Sequence, residues 1–377
     1  MGRKQRGIAV FLSLAVLLGS LPAGAGTGKQ AKAAGYGLSN PKVKNGVVTW
    51  DCIYFGSYWQ NDTNKDRKAD TKDTKEPIKW RVLSVQGDDA LLVSEYNLDC
   101  QPYHETAVEK IGDVTWENCS LRGWLNSQFY QNAFSEAEQN AIKETTLVNE
   151  GVTGAKYNTV DKVFLLSPAE VAKSAYGFGG SSASETRVAY HTVFTLQAGG
   201  AICHPLGSAG WWWLRTPIGP GAVLGKQYST IASASNVSYY GGVAPGNPAI
   251  RDCAVRPAIH LNLSSGLWQK AGRKSAVRTA PAKVKKLKVK KKGKKAVTLS
   301  WKKVPGIEGY QIQYSTDKKF KEWKEIDGVG KEKLVKKTKF RLGRLGNKKK
   351  QYVRVCAYRE AEGRKVCGKW SKVIIVR

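Results

Sequence analysis

Residues 296–315, AVTLSWKKVPGIEGYQIQYS, contain two short runs in which apolar and polar side chains alternate. Neighbouring side chains of a β-strand point to opposite faces, so such alternation indicates strands with one buried face. The runs KLKVK before this stretch and FRLGRL, YVRVCAY and SKVIIV after it show the same pattern, and turn-like or charged residues separate them. The sequence therefore predicts an all-β sandwich at residues 283–377.

The same region carries a family resemblance. The stretches AVTLSWKKVPGIEGYQIQYSTDKKF and QYVRVCAYREAEGRKVCGKWSKV resemble a fibronectin type III domain, with Trp301 on the second strand and Tyr310 and Tyr314 on the third. The resemblance implies an immunoglobulin-like sandwich. One departure is Gln351, which stands where such domains usually carry a tyrosine near the sixth strand.

Charge divides the chain in two. Residues 34–266 hold 20 Lys and Arg against 22 Asp and Glu, whereas residues 267–377 hold 36 against 8. The basic residues 264–282 predict a linker between a domain at 48–263 and the sandwich at 283–377. A net charge of +28 on the second part predicts attraction to anionic cell-wall polymers, and the alternative is a solvated charged face.

The amino terminus predicts secretion. Arg3, Lys4 and Arg6 precede the apolar run GIAVFLSLAVLLGSL, and Ala31-Lys32-Ala33 is a small-x-small cleavage site, so residues 1–33 have the pattern of a signal peptide. The apolar run is shorter than the roughly 20 residues of a spanning helix. We expect an extracellular protein, associated with the cell wall, that has no membrane span after signal removal and no nucleic-acid partner.

Strands begin and end the region 48–263, with helices between them. PIKWRVLSVQGDDALLVSEY predicts a hairpin that turns at Gly87-Asp88-Asp89, and Ser135 with Glu138 predicts a capped helix. This order favours an α+β domain.

A set of ordered motifs in this region resembles a secreted bacterial family labelled DUF6273. The motifs are YFGSYWQ, PIKWRVL, LDCQPYH, WENCSLRGWLN, KVFLLSPAEV, WWWLRTP and VRPAIHLNL. The WWLR and VRPA strands are also similar to the C-type-lectin-like fold of formylglycine-generating enzymes, which implies a lectin-like α+β head. The closely spaced cysteine pair of those enzymes has no counterpart, because Cys203 and Cys253 lie far apart.

The stretch WWWLRTP raises the question of which tryptophans are exposed. Alternation places Trp211 and Trp213 on one face, predicted to be buried, and Trp212 on the other, predicted to be exposed. An exposed tryptophan and nearby arginines suit a sugar ring and its polar groups. The predicted ligand-binding residues are Trp212, Arg215, Arg251 and Arg256.

The stretch DTNKDRKADTKD has the spacing of a calcium loop. Oxygen donors recur at alternating positions, as Ca²⁺ requires: Asp62, Asn64, Asp66, the Lys68 carbonyl, Asp70 and Asp73. Against this hypothesis, Arg67 replaces the usual glycine at the sixth position, and several lysines lower the negative potential. The alternative is a solvated loop. Ca²⁺ is the one cofactor that the sequence suggests.

Cysteines and histidines give weaker signals. The last two strands of the sandwich are predicted to form a hairpin, with Cys356 facing outward and Cys367 opposite it. This arrangement predicts a disulfide between the two residues, and the alternative is two unpaired thiols. Cys203, His204, His191 and His104 have neither zinc-ligand spacing nor a nucleophile elbow around them.

These features together predict a binding protein and not an enzyme. The α+β lectin-like head is expected to bind a cell-surface glycan or protein, and the fibronectin type III module is expected to act as a spacer or to retain the protein at the envelope. The alternatives are a cell-wall hydrolase or modifying enzyme, and a purely structural spacer.

Overall fold

A computed structural model describes most of the chain. The described residues are 35–105, 114–150, 155–181, 183–199, 209–218, 233–238, 243–246, 253–293, 296–320, 333–343 and 350–376. The predicted signal peptide, residues 1–33, lies outside these ranges. Among the described residues, no helix combines the length and the apolar character that a membrane span requires.

The strands of the first part of the chain run from residue 42 to residue 277. They are β1 Lys42–Lys44, β2 Val47–Tyr58, β3 Glu76–Gln86, β4 Asp89–Ser94, β5 Tyr96–Asn97, β6 Asp99–Cys100, β7 Thr145–Glu150, β8 Lys156–Asp161, β9 Val163–Phe164, β10 Tyr190–His191, β11 Trp212–Ile218, β12 Ser233–Val237, β13 Val243–Gly246, β14 Ala254–Val255, β15 Ala258–Asn262 and β16 Gln269–Val277.

Short helices connect these strands. The α-helices are α1 Ser120–Trp124, α2 Tyr130–Ala133, α3 Glu136–Ala141, α4 Pro168–Ala172 and α5 Val193–Gly199. A π-helical segment, Leu125–Phe129, joins α1 to α2, and 3₁₀ turns occur at Ser174–Tyr176, Glu185–Arg187 and Leu263–Ser265. The Ser135 side chain caps α3 and forms a reciprocal capping box with Glu138, so that prediction is confirmed.

The larger sheet of the head has the strand order β1-β2-β3-β4-β15-β9, and β16 pairs with the other edge of β2. The predicted hairpin is confirmed: β3 and β4 pair antiparallel, and Gly87 at φ 59° occupies the left-handed conformation that the tight turn requires. A second sheet has the order β13-β12-β11-β14-β6. Apolar residues of both sheets and of the helices form one core.

The segment predicted to be a linker is a strand in this structure, so the predicted linker at 264–282 is wrong for residues 269–277. Strand β16 pairs antiparallel with β2 along most of its length. Its cations bind carboxylates of the head: Arg273 lies 3.1 Å from Asp51, and Lys274 lies 3.1 Å from Glu95. Two cations of the segment, Arg273 and Lys274, are thus charge partners of the head.

The tail, residues 283–377, forms two sheets around its own core. Its strands are β17 Lys288–Lys292, β18 Ala296–Ser300, β19 Gly309–Ser315, β20 Lys333–Val335, β21 Lys339–Gly343, β22 Gln351–Ala361, β23 Arg364–Cys367 and β24 Ile374–Val376. One sheet has the order β17-β18-β21; the other has the order β20-β19-β22-β23, with β24 also on β22. Val297, Leu299 and Ile312 are among the buried residues between the two sheets, as the alternation predicts. The tail is therefore a β-sandwich.

Contacts between head and tail are more extensive than the sequence suggests. Lys274 of β16 binds Glu362 of the tail at 2.8 Å, and Arg364 of the tail binds Glu185 of the head at 2.9 Å. Strand β16 therefore contacts both parts of the chain, because its edge pairs with β2 of the head and Lys274 binds carboxylates of both the head and the tail.

Candidate functional site

The tryptophan run is a buried part of the head. Trp212 is 0% exposed and Trp213 is 1% exposed, while Trp211 is partly buried and precedes the strand. The Trp212 indole donates to the Arg187 carbonyl at 3.2 Å, and the Trp213 indole donates to the Gln101 carbonyl at 2.8 Å. The predicted exposure of Trp212 is wrong, because β11 lies inside its sheet and protein covers both of its faces.

Two of the three predicted arginines are also buried. Arg215 is 4% exposed; it donates to the Leu165 carbonyl at 2.9 Å and to Asn149 Oδ1 at 3.1 Å, and it forms an ion pair with Glu170. Arg256 is 0% exposed, and its guanidinium lies 4.9 Å from the Trp212 ring centroid. These side chains are paired inside the head and are not exposed at its surface. Arg251 lies outside the described residues.

Arg256 belongs to a buried charge cluster around Glu95. Arg81 donates to Glu95 Oε2 from Nε at 2.9 Å and from Nη2 at 2.7 Å. Burial and the nearby Arg81 charge lower the pKa of Arg256 to about 9. Burial disfavours the charged form of Glu95, but Arg81, Lys274 and Arg256 outweigh it and lower the pKa of Glu95. The cluster contains three cations around one carboxylate.

The calcium-like loop holds its carboxylates on backbone amides. Asp73 accepts from the amides of Thr63 at 2.7 Å and Asp70 at 2.8 Å, and Asp62 accepts from the amides of Asp66 and Arg67. Across the described part of the chain, no three acidic, histidine or cysteine side chains come together as a metal group. Calcium binding by Asp62, Asn64, Asp66, Lys68, Asp70 and Asp73 therefore stays a prediction.

A different place on the head has the character of a ligand site. A pocket of about 280 Å³ combines aromatic walls with amide and hydroxyl groups. We call it the aromatic pocket, and its lining residues are Tyr58, Trp59, Thr71, Asp99, Cys100, Gln101, Trp124, Gln128, Asn132 and Phe194. Thr71, Gln128 and Asn132 are exposed, so the pocket opens to solvent.

One wall of the aromatic pocket is a single helix face. Trp124, Gln128 and Asn132 are four residues apart in succession, the spacing that places side chains on the same side of a helix. The π-helical segment Leu125–Phe129 lies within this wall. Such single-turn widenings occur frequently at functional sites. Phe129 of the same helical segment is fully buried, and its ring centroid lies 5.6 Å from that of Trp124.

The floor of the pocket is a hydrogen-bonded carboxyl group. Asp99 accepts from the Tyr58 hydroxyl at 2.6 Å, from the Cys100 amide at 2.6 Å and from Gln101 Nε2 at 3.2 Å. Burial raises the pKa of Asp99 in spite of these hydrogen bonds, and burial also raises the pKa of Tyr58 well above its usual value. Because its oxygens are occupied by protein donors, Asp99 orients Tyr58 and Gln101 toward the pocket.

Aromatic contacts hold a second group of lining residues in place. Trp59 stacks on Phe194 at 6.0 Å, and the Lys75 ammonium lies 4.5 Å from the Trp59 ring centroid. Lys75 also donates to the Asn132 carbonyl at 2.6 Å. Trp59 and Trp124 are both partly buried. Trp59 contacts a ring and a cation of two other segments, whereas Trp124 contacts Phe129 of its own helical segment, so we take Trp124 as the candidate ring for a ligand.

Sequence reasoning noticed the segments of this pocket but missed the pocket. Trp59, Asp99 and Trp124 lie in YFGSYWQ, LDCQPYH and WENCSLRGWLN, which carried the family resemblance. The helical spacing of Trp124, Gln128 and Asn132 was a usable signal. Nothing local in the sequence shows that the end of β2, strand β6 and the start of α5 lie beside that helix.

The other candidate groups are parts of the fold. His191 is buried and its Nδ1 lies 3.2 Å from Asn97, and His104 Nδ1 accepts from the Ser120 amide at 3.3 Å. Cys203 and His204 lie outside the described residues.

The two tail cysteines share a neighbour. Cys356 lies on the side of β22 opposite Val355 and Ala357, but it is fully buried, so its predicted exposure is wrong. Register places Cys367 opposite Tyr358, and the sulfur atoms of Cys356 and Cys367 lie 3.6 and 2.7 Å from Gln311 Oε1. The disulfide stays a prediction.

One known family matches the larger part of the head. Residues 87–263 match the family described as "Domain of unknown function (DUF6273)". This region is a DUF6273 domain. The domain supplies most of the aromatic pocket, including Asp99, Trp124 and Phe194, while Tyr58, Trp59 and Thr71 precede the matched residues.

Solved structures with fibronectin type III domains are similar to part of the chain. An Fn3-like protein from Clostridium thermocellum is 20% identical, with 26% of this chain and 94% of that chain covered and a TM-score of 0.19. The FN1–FN3 domains of chicken CNTN1 are 15% identical, with 38% of this chain and 59% of that chain covered and a TM-score of 0.22. None of the curated proteins compared with the chain matches it.

Proposed function

We propose that this protein is a secreted binding protein whose DUF6273 domain recognises a carbohydrate in the aromatic pocket. The observation that supports the proposal is the combination of tryptophan rings with amide side chains in one solvent-accessible pocket. Sugar rings offer an apolar face for an aromatic ring and hydroxyl groups for amides. A volume of about 280 Å³ suits a single ring or the end of a chain.

In this proposal Trp124 is the stacking residue, and Gln101, Gln128 and Asn132 bind hydroxyl groups. Asp99 is a positioning residue because protein donors occupy its oxygens. Among the lining residues of the pocket, Asp99 is the one carboxyl group. Hydrolysis of glycosides commonly uses a pair of carboxyl groups, so this lining favours binding over cleavage.

The basic tail is proposed to hold the protein at the cell wall. The proposal includes a lectin-like fold for the head, an extracellular location at the cell wall, and retention by the basic tail on anionic wall polymers. The net charge of +28 on residues 267–377 supports the last point.

Binding to an array of hexose and N-acetylhexosamine oligosaccharides tests the proposal. The full chain is expected to bind a subset of these glycans, and Trp124→Ala is expected to weaken binding at least about tenfold by removing the stacking surface. Gln128→Ala should weaken it about fivefold through the loss of hydrogen bonds.

Gln131→Ala is the matched control, because Gln131 is an exposed glutamine on the same helix and is not part of the pocket lining. Equal loss in Gln128→Ala and Gln131→Ala, or binding that survives Trp124→Ala in a folded protein, would contradict the assignment of this pocket. Release of reducing sugar from a bound glycan would identify a hydrolase instead.

A further inference from the structure

The outer face of the sheet β17-β18-β21 has an unusual distribution of charge. Val297 and Leu299 of the central strand β18 point into the sandwich core, so Ala296, Thr298 and Ser300 point outward. These outward side chains are small and partly buried. The middle of the face is therefore a shallow strip of small residues.

Cations border this strip on both sides. Ser300 is paired with Lys288 of β17 on one side and with Lys339 of β21 on the other. Arg341 follows on β21 opposite Thr298, and Lys290 follows on β17 at a bulge. All four cations are exposed. We call Lys288, Lys290, Lys339 and Arg341 the basic strip.

The spacing of the basic strip follows from strand geometry. Two inter-strand distances separate the rows, which are thus about 10 Å apart, and Lys339 and Arg341, alternate residues of the regular strand β21, are about 6.6 Å apart. The bulge at Lys290 interrupts this repeat on β17. The strands β17, β18 and β21 contain no acidic residue. A linear anion that follows β18 would therefore have cations on each side and no carboxylate of these strands beneath it.

A pocket lies at one end of the basic strip. It has a volume of about 510 Å³, and Lys303, Lys336 and Lys337 are part of its lining, with Glu308 as the one carboxylate. Lys303 follows β18 and Lys337 precedes β21, so both lie at the end of the sheet where Ser300 pairs with Lys339. The positive charge thus continues from the strip into the pocket.

We infer that the basic strip binds a linear polymer of phosphodiester-linked polyol units, lying along β18. The inference rests on the proposed retention of the tail by anionic wall polymers and gives that retention a defined site. Successive phosphates of an extended glycerol phosphate chain are about 7 Å apart by ordinary bond lengths, close to the spacing of alternate cations on a strand.

Single-stranded nucleic acid has a similar phosphate spacing but fits this face less well. Proteins that bind it generally stack its bases on aromatic side chains. Phe340 is the one aromatic residue of the three strands, and it packs against the sandwich core. A polymer without bases needs no such platform, because phosphate contacts alone hold it.

The test uses the full chain and synthetic poly(glycerol phosphate), with single-stranded RNA and heparin as other polyanions. The triple variant Lys288→Glu, Lys339→Glu, Arg341→Glu removes the strip. Lys318→Glu, Lys369→Glu, Lys372→Glu is the matched control, because these tail lysines are exposed and lie outside the sheet β17-β18-β21. Both triple variants change the net charge equally.

The strip variant is expected to lose at least about tenfold in affinity for poly(glycerol phosphate), and its plot of log affinity against log salt concentration should become shallower by about 2, since three phosphate contacts are lost. The control variant should keep the wild-type slope. The milder triple variant with glutamine at the same three positions should show the same reduction in slope, which separates the effect from unfolding.

Three other outcomes of this experiment would each contradict a specific part of the inference. Equal losses in the strip and control variants would show diffuse attraction, which overturns the strip while the proposed retention stands. No binding of any polyanion by the wild type would overturn both. Tighter binding of RNA or heparin than of poly(glycerol phosphate) would overturn the assigned polymer class.

Discussion

At the scale of single residues, the arginines of this protein divide into structural and exposed groups. Arg81, Arg215 and Arg256 are nearly inaccessible, whereas Arg341 is exposed on a sheet face. Sequence reasoning assigned Arg215 and Arg256 to a ligand because a guanidinium suits the polar groups of a sugar. The structure shows the condition under which it is buried: Glu170 and Glu95 provide the opposite charges.

The buried Glu95 gives the first prediction at this scale. Glu95→Gln would leave Arg81 and Arg256 without a nearby negative charge, and Nη1 and Nη2 of Arg256 already have no hydrogen-bond partner among the described residues. Breaking a buried ion pair in this way is expected to lower the free energy of unfolding at pH 7 by about 3–5 kcal/mol. Urea unfolding followed by tryptophan fluorescence measures the difference.

The pH dependence of this difference has a defined sign. The pKa of Glu95 is lowered below its usual 4.5, so its contribution is complete above that pH and disappears as pH falls through the folded-state pKa. The wild type and Glu95→Gln should therefore converge in stability at acid pH. Glu117→Gln, at an exposed glutamate, should change stability by less than about 0.5 kcal/mol at any pH. A pH-independent gap for Glu95→Gln would contradict the assigned charge effect.

At the scale of elements, local patterns were predictive where one face of an element is buried. The hairpin of β3 and β4, the cap of α3 and the strands of the tail follow from alternation, turn residues and the Ser135–Glu138 pair. Strand β16 was missed because Arg273 and Lys274 bind carboxylates that are distant in sequence. The exposure of Trp212 on β11 was also predicted wrongly, because alternation assigns side chains to two faces of a strand but does not show whether protein covers both faces.

Amide hydrogen exchange distinguishes β16 from a linker. Residues 273–277 are paired with β2, so the alternate amides of this segment that bond to β2 are expected to exchange at least about a hundredfold more slowly than unstructured ones. Residues 282–286, which begin at the last residue of the predicted linker, form no strand and are the internal comparison. Equally fast exchange in both segments of the full chain would show that β16 does not persist in solution.

At the scale of the whole molecule, the described residues after the amino terminus form one compact unit that includes head and tail. Strand β16 connects them in two ways. It completes the edge of the head sheet, and its Ser275 amide and Lys274 ammonium both bind Glu362 of the tail. The aromatic pocket and the basic strip therefore belong to the same unit, so under the proposed retention a polymer bound at the strip would limit the positions that the pocket can reach.

The coupling of head and tail gives the last prediction. Glu362→Ala with Arg364→Ala removes the tail partners of Lys274 and Glu185, while Glu360→Ala with Lys365→Ala removes an exposed pair from the same hairpin of β22 and β23. Both double variants conserve net charge.

Because the bridging side chains are partly exposed, the first double variant should weaken the coupling by only about 1 kcal/mol. Calorimetry is expected to show one transition for the wild type and for Glu360→Ala with Lys365→Ala, and a broadened or divided transition for Glu362→Ala with Arg364→Ala. A divided transition already present in the wild type would mean that head and tail unfold independently and that β16 fixes only the head.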